Sequence, residues 1–157
     1  MAAVHGEIDP ALLQGLGLIV TRWVGVEEWQ TRFLAFLVVG DQSLMPVITT
    51  GASAANVTAW LRTLAGIRFR DATTRERLDV LFTRVDQARA ERNGLVHGIW
   101  NSEDIPGQAL VQTMNFNRGE ALTTQLVTLS DLEEVAHEIS AIIGEFVYLA
   151  RTLDFYD

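Results

Sequence analysis

The sequence predicts a mainly α fold, an up-and-down bundle of four to five helices with one β-hairpin inserted before the last helix. Two observations lead to this prediction. Apolar residues recur at spacings of three and four along most of the chain, which is the period of an amphipathic helix. The period changes to two only between residues 109 and 129, as expected for two paired strands. With 157 residues and no linker-like stretch, the chain is predicted to form a single helical domain, 1–157.

The first predicted helix begins at Asp9 and Pro10, a favourable pair of N-cap and first-turn residues, and ends at Gly40. Gly25 is expected to split this helix or to kink it. The stripe that faces the core contains Leu12, Leu16, Ile19, Val20, Trp23, Val26, Phe33, Leu34 and Leu37.

The next two helices have recognisable starts. After an irregular stretch, 43–53, Ser53 is the predicted N-cap of a short helix that ends at Gly66. Thr73 and Glu76 then have the spacing of a capping box, which predicts the start of a third, longer helix.

The third helix carries an arginine where its buried stripe calls for an apolar residue. The same spacing next reaches Arg92 and then Leu95 or Val96, and Gly98 is expected to end the helix. An unpaired buried arginine is costly, so two alternatives follow. Arg92 either forms an internal ion pair or reaches water at the helix end, or it lines a cleft shared with another subunit. The preceding members of the stripe are Leu78, Leu81, Val85 and Ala88.

The segments 109–116 and 121–129 alternate apolar and polar residues and flank a turn that contains Gly119, which predicts the hairpin. Ser130 and Glu133 form a second capping box, where the last helix is expected to begin. Its predicted core residues are Leu132, Val135, Ala136, Ile139, Ile143, Phe146, Ala150 and Leu153.

Composition excludes several kinds of function. A net charge of −8 argues against broad binding of nucleic acid through a basic surface, although it leaves room for a small local site. The absence of cysteine excludes a disulfide framework, a thiolate zinc site and a cysteine nucleophile. The sequence shows no signal-peptide pattern, and its longest apolar run, 33–39, is far short of a membrane span. We therefore expect a cytoplasmic protein that makes no membrane contact.

Arg92, Asn93 and His97 are the candidate site residues. On a continuous helix Arg92 and His97 point about 140° apart, whereas Asn93 and His97 share a face. A common small ligand therefore requires either two copies packed about a two-fold axis or a helix that loosens at Gly94.

The string Arg-Asn-Gly-Leu-Val-His-Gly, residues 92–98, lies near the end of a long amphipathic helix in a small helical protein. In this position it resembles the signature of the HEPN superfamily, an arginine followed after four to six residues by a histidine. Arg92, Asn93 and His97 match that signature with a gap of four residues. The inserted hairpin departs from the family outline.

The resemblance implies a metal-independent endoribonuclease without cofactor, acting as a homodimer through the motif helix. His97 would be the general acid or base, Arg92 would hold the phosphate, and Asn93 would orient His97 or contact the backbone. RNA or a nucleotide is the implied ligand, and an antitoxin-like protein is a further expected partner. The alternative is a non-catalytic HEPN-like module for dimerisation or for binding of nucleotide or RNA, so whether the protein is an enzyme stays open.

Two other features have structural explanations. Glu134 and His137 have the Glu-x-x-His spacing of di-iron bundles, but the sequence holds only this one copy. A solvated pair of His137 with Glu133 or Glu134 is expected instead. Trp100 directly follows the motif helix, and we expect it to seal the end of the bundle rather than to stack on a base.

Overall fold

The computed structural model describes residues 7–38, 45–103, 105–115 and 121–153. In these residues the chain is mainly α, with five helices and a three-stranded antiparallel sheet before the last helix, so the predicted fold class is confirmed. The helices are α1 (Pro10–Val38), α2 (Met45–Thr49), α3 (Ala54–Arg68), α4 (Ala72–His97) and α5 (Leu129–Thr152); the strands are β1 (Ile99–Ser102), β2 (Gln108–Asn115) and β3 (Ala121–Thr128).

The predicted starts of α1 and α3 are confirmed. The Asp9 carboxylate accepts a hydrogen bond from a first-turn N–H of α1 at 2.8 Å. The Ser53 hydroxyl accepts one from a first-turn N–H of α3 at 3.2 Å. These side chains satisfy backbone donors that have no partner inside the helix. The helix α3 continues past Gly66, its predicted end, to Arg68.

The predicted starts of α4 and α5 are wrong, because other side chains cap these helices two residues earlier. Asp71 caps α4, and its Oδ2 accepts from a first-turn N–H at 2.7 Å. For α5 the Thr128 Oγ1 accepts from the Asp131 N–H at 3.3 Å, while the Asp131 Oδ2 accepts from the Thr128 N–H at 2.7 Å. This reciprocal pair is a capping box. The predicted boxes were Thr73–Glu76 and Ser130–Glu133.

Two further expectations for the N-terminal half are corrected. The helix α1 runs without a break through Gly25, where the sequence predicted a split or a kink. The glycine instead allows close packing, because a Cβ there would lie 2.8 Å from the Ile143 Cδ1. The stretch 43–53 was predicted to be irregular, yet it contains α2, whose Met45 is buried. The predicted helix end at Gly40 lies outside the described residues.

The predicted hairpin is confirmed as the pair β2–β3. The two strands are antiparallel, with a continuous register from Gln108–Thr128 to Asn115–Ala121. Its turn, including Gly119, lies outside the described residues. The strand β1 was not predicted; it pairs with β2 and gives the sheet order β1-β2-β3.

The chain divides into two compact units, and each boundary falls inside a long helix, α1, α4 or α5. The first unit comprises residues 1–22 and 89–138; the second comprises residues 23–88 and 139–157. Within the described ranges, no helix has the length and apolar character needed to cross a membrane.

The first unit contains the sheet and the candidate motif. A Cβ at Gly15 would lie 3.0 Å from the Leu132 side chain, so α1 and α5 are closely packed here. The Arg22 Nη1 donates to the Ala136 carbonyl at 2.8 Å, which joins the same two helices. Buried apolar residues of this unit are Leu12, Ile19, Leu95, Ala109, Val111, Val127, Leu132, Val135 and Ala136.

The second unit has a larger apolar core and one buried polar pair. Phe33 and Phe146 meet edge to face with ring centroids 5.1 Å apart, an arrangement that adds about 0.5–1.5 kcal/mol to simple burial. The buried Gln30 Nε2 donates to the Thr58 Oγ1 at 2.7 Å, so neither polar group is left without a partner. Its four predicted stripe residues on α4, Leu78, Leu81, Val85 and Ala88, are all buried.

Candidate functional site

Arg92 lies in the last turns of α4, half-buried, and its side chain is only partly satisfied. The Nη1 donates to the Asn93 Oδ1 at 2.9 Å. The Nε is buried and finds no hydrogen-bond partner among the described residues. An unmet buried donor costs about 1–3 kcal/mol, more for a charged group. Among the described residues no carboxylate forms an ion pair with Arg92, so the expected internal ion pair is not found. The other two expectations, contact with water at the helix end and a cleft shared with another subunit, stay predictions.

His97 is the last residue of α4 and is exposed. Because α4 remains helical through Gly94, the suggested loosening there is wrong, and Arg92 and His97 stay about 140° apart around the helix axis. The structure therefore joins Arg92 to Asn93 by a hydrogen bond and leaves Asn93 and His97 on one helix face, but it does not point Arg92 and His97 in the same direction. The Asn93 Oδ1 accepts from Arg92, and the implied role of Asn93, to orient His97 or to contact the backbone, stays a prediction.

Trp100 closes the end of the motif helix. Its Nε1 donates to the Leu95 carbonyl at 2.7 Å. This carbonyl belongs to the last turn of α4, where backbone acceptors have no partner inside the helix. The partly buried indole therefore caps this helix end, while the expected sealing of the end of the bundle stays a prediction.

The sheet packs directly against the C-terminal end of α4. A Cβ at Gly98 would lie 2.5 Å from the Val111 Cγ1 on β2 and 2.6 Å from the Gly94 carbonyl oxygen. Only glycine fits there without movement of the surrounding atoms. One turn earlier a Cβ at Gly94 would lie 3.6 Å from the Thr113 Cγ2, which is ordinary van der Waals contact. The inserted strands thus support the turn that carries the motif.

An acidic pocket of about 370 Å³ lies between α4 and α5 in the first unit. Burial raises the pKa of the Glu91 carboxyl, and the charges of Glu134, Glu138 and Asp131 raise it further. Sequence reasoning missed this pocket, although Asp131, Glu134 and Glu138 have the spacing of one helix face. The pocket is lined by Glu91, Asp131, Glu134, Val135, His137 and Glu138.

Glu134 and His137, the Glu-x-x-His pair, both line this acidic pocket. Among the residues that the structure describes, no group of three His, Asp or Glu side chains is arranged to hold a metal ion. Within the described residues, His137 forms no ion pair with Glu133 or Glu134, so the expected pairing is wrong.

A larger cavity, about 550 Å³, lies in the second unit between α1, the α2–α3 connection and α3. Its charged groups already have partners. Glu28 pairs with Arg32, and the Glu27 carboxylate accepts from the Trp23 Nε1 at 2.8 Å. The cavity is lined by Val24, Glu27, Glu28, Gln30, Thr31, Arg32, Thr49, Thr50, Ala52, Ala54 and Val57.

No model of a known protein family matches the chain, and neither the curated proteins nor the solved structures contain a match.

Proposed function

We propose that this protein is a HEPN-like, metal-independent endoribonuclease that acts on cytoplasmic RNA as a homodimer. The observation that carries the proposal is the incomplete set of hydrogen-bond partners around the Arg92 guanidinium. Its guanidinium is oriented by Asn93, has no carboxylate partner among the described residues and keeps a buried Nε–H without an acceptor. The terminal N–H groups of a guanidinium without a carboxylate partner are suited to a phosphate oxygen, because a guanidinium binds phosphate through paired, charge-assisted hydrogen bonds.

The proposed reaction uses the nucleophile that RNA itself provides. The 2′-hydroxyl oxygen attacks the adjacent phosphorus, and its proton passes to a general base. The bond from phosphorus to the 5′-oxygen breaks as that oxygen takes up a proton, which leaves a 2′,3′-cyclic phosphate and a 5′-hydroxyl. His97 is the proton-transfer group, since histidine exchanges protons near neutral pH and this side chain is exposed. Arg92 stabilises the charge that develops on the phosphate oxygens.

A second copy of the chain completes the site. Within one copy Arg92 and His97 point about 140° apart on a regular helix, so one motif alone does not surround a phosphate. Two motif helices related by a two-fold axis place the Arg92 of one copy opposite the His97 of the other. The homodimer contact is therefore proposed to run along the C-terminal part of α4.

The acidic pocket restricts how RNA approaches. Glu91 and Asn93 lie about 100° to either side of Arg92 on the helix. Glu91 belongs to the pocket that also contains Asp131, Glu134 and Glu138, a surface that repels phosphate. We therefore propose that RNA reaches Arg92 from the Asn93 flank of α4.

Mixing two inactive variants tests the shared site. Arg92→Gln and His97→Ala should each abolish cleavage of single-stranded RNA in EDTA. In a mixture of the two proteins, half of the pairs combine one copy of each variant, and each such pair has one intact site. Every wild-type pair has two intact sites, whereas in the mixture only half of the pairs have an intact site, and each of these has one. We therefore expect recovery of about a quarter of wild-type activity.

Arg70→Gln is the matched control, since it removes the same charge from an exposed position outside the helices. It should cleave like the wild type. If Arg92→Gln retains full activity, the proposed role of Arg92 is wrong. If wild-type protein binds RNA without cleaving it, the non-catalytic binding module replaces the nuclease. If cleavage appears only after removal of a co-purified protein, an antitoxin-like partner is present.

A further inference from the structure

The strand β3 is an exposed sheet edge. It pairs only with β2 among the described residues, and β1 forms the opposite edge. All five residues from Leu122 to Leu126 are exposed, and the two leucines keep 53% and 51% of their surface accessible. Both leucines lie on the sheet face opposite Val127, which is buried.

This edge has none of the features that usually prevent strands from pairing with other chains. Such features are short length, charged side chains, proline and bulges. The strand β3 has eight residues, contains no charge and no proline, and keeps a continuous register with β2. The other edge, β1, has only four residues. An edge left open in this way is available for pairing with a partner strand.

The sequence of β3 is self-complementary when two copies run antiparallel. If Thr124 lies on a two-fold axis, Thr124 faces Thr124, Thr123 faces Gln125, and Leu122 faces Leu126 of the other copy. Cross-strand threonine pairs and aliphatic pairs both stabilise a sheet. We propose that the β3 edge pairs with β3 of a second copy of this chain, so that two three-stranded sheets join into one of six strands.

Charge favours this strand as a contact between copies. Each copy carries a net charge of −8, so two copies repel one another at most of their surface. The run 121–130 contains no charged residue. A contact along β3 therefore brings together two neutral segments.

The contact is small. Eight strand residues span about 27 Å, and a strip of one strand buries less than the standard interface of about 1,600 Å². We expect a dissociation constant on the order of 1–100 µM. The contact is separate from the motif-helix contact of the proposed function, because it uses β3 and leaves α4 free.

Substitution at the predicted two-fold axis tests the pairing directly. Thr124→Lys and Thr124→Glu each place two like charges opposite one another, which destabilises a strand pair. By analytical ultracentrifugation from about 1 to 500 µM protein, the mass of the wild type should rise as the concentration passes the dissociation constant of the strand pair, and the mass of each variant alone should not show that rise. An equimolar mixture of the two should restore the wild-type mass, because lysine then faces glutamate.

Ile99→Lys is the matched control, because it places a charge on β1, the opposite edge of the sheet. Ile99 is about as exposed as Leu122 and Leu126 on β3. This variant should keep the wild-type mass. A lower mass is expected whether the motif-helix contact exists, so that an assembly larger than a dimer becomes a dimer, or is absent, so that a dimer becomes a monomer. The proposal is overturned if the variants keep the wild-type mass, if their mixture fails to restore it, or if Ile99→Lys disrupts the assembly equally. The same experiment leaves RNA cleavage by α4 untouched, so the two proposals fail separately.

Discussion

Gly94 and Gly98 lie four residues apart around the end of α4, and alanine should have opposite effects at the two positions. Gly98→Ala forces a Cβ to within 2.5 Å of the Val111 side chain, and we expect it to lower the free energy of unfolding by about 1–3 kcal/mol. In Gly94→Ala the new Cβ makes only an ordinary contact, 3.6 Å from the Thr113 Cγ2, and a glycine is removed from the helix interior. This change should raise the free energy of unfolding by about 0.5–1 kcal/mol. Urea denaturation of the two variants measures both effects, and equal effects would contradict the packing described for Gly98.

Glu91 should make stability depend on pH in a defined direction. Its carboxyl pKa is raised in the folded chain by burial and by the carboxylates of Glu134, Glu138 and Asp131. The folded state therefore binds the proton more tightly than the unfolded state does. The ionised side chain destabilises the fold at neutral pH, and this cost disappears as the pH falls through the raised pKa towards the ordinary glutamate value of about 4.3.

Glu91→Gln should accordingly be more stable than the wild type at pH 7, and the difference should vanish at pH 4. Urea midpoints measured at both pH values test this prediction. Glu133→Gln is the control. Both glutamates are exposed, but Glu133 does not line the acidic pocket. A Glu91→Gln protein that is less stable than the wild type at pH 7 would show that Glu91 makes a favourable contact instead.

Single residues of the candidate site were predictable, but their contacts were not. The periodicity placed Arg92 on the buried stripe or at its edge, and the structure finds it half-buried. The bond from Arg92 to Asn93 depends on side-chain rotamers, which a spacing pattern does not contain. The acidic pocket was missed because it joins Glu91 to carboxylates about 40 residues later in the chain, on another helix.

At the level of single elements, the capping box of α5 offers a direct comparison of two candidate caps. Thr128→Ala should lower the free energy of unfolding by about 1 kcal/mol, because it removes the hydroxyl that accepts from the Asp131 N–H. Ser130→Ala removes the cap that the sequence pattern favoured and should have little effect, since Ser130 lies inside the helix. Thermal or urea unfolding distinguishes them. A larger loss at Ser130 would place the start of α5 two residues later.

Helix and strand types were readable from the sequence, while their exact ends were not. Both misplaced caps arose because a Ser or Thr with Glu three residues later follows each true cap, Asp71 or Thr128, by two residues. The strand β1 was missed for a different reason. Its four residues, Ile99–Ser102, are too short for a period to be visible, and they form a strand through pairing with β2.

At the scale of the whole molecule, the division into two compact units was not predictable. No change of composition and no linker marks the boundary, because it falls inside three continuous helices. The mainly α class was predictable, since it depends on local periodicity summed over long segments. The packing of the sheet against the end of α4 depends on contacts such as Gly98 with Val111, which bring together distant parts of the chain.

The net charge of −8 makes the whole molecule a poor general binder of RNA, so we expect RNA cleavage to depend on the motif residues alone. The most direct test is cleavage of single-stranded RNA in EDTA by the wild type, His97→Ala and His137→Ala. His137 is the matched control, an exposed histidine of the same unit that is outside the motif. We predict products with 2′,3′-cyclic phosphate ends for the wild type and for His137→Ala, and a rate at least about 100-fold lower for His97→Ala. Equal cleavage by His97→Ala and the wild type, or no cleavage by either, would contradict the proposed nuclease.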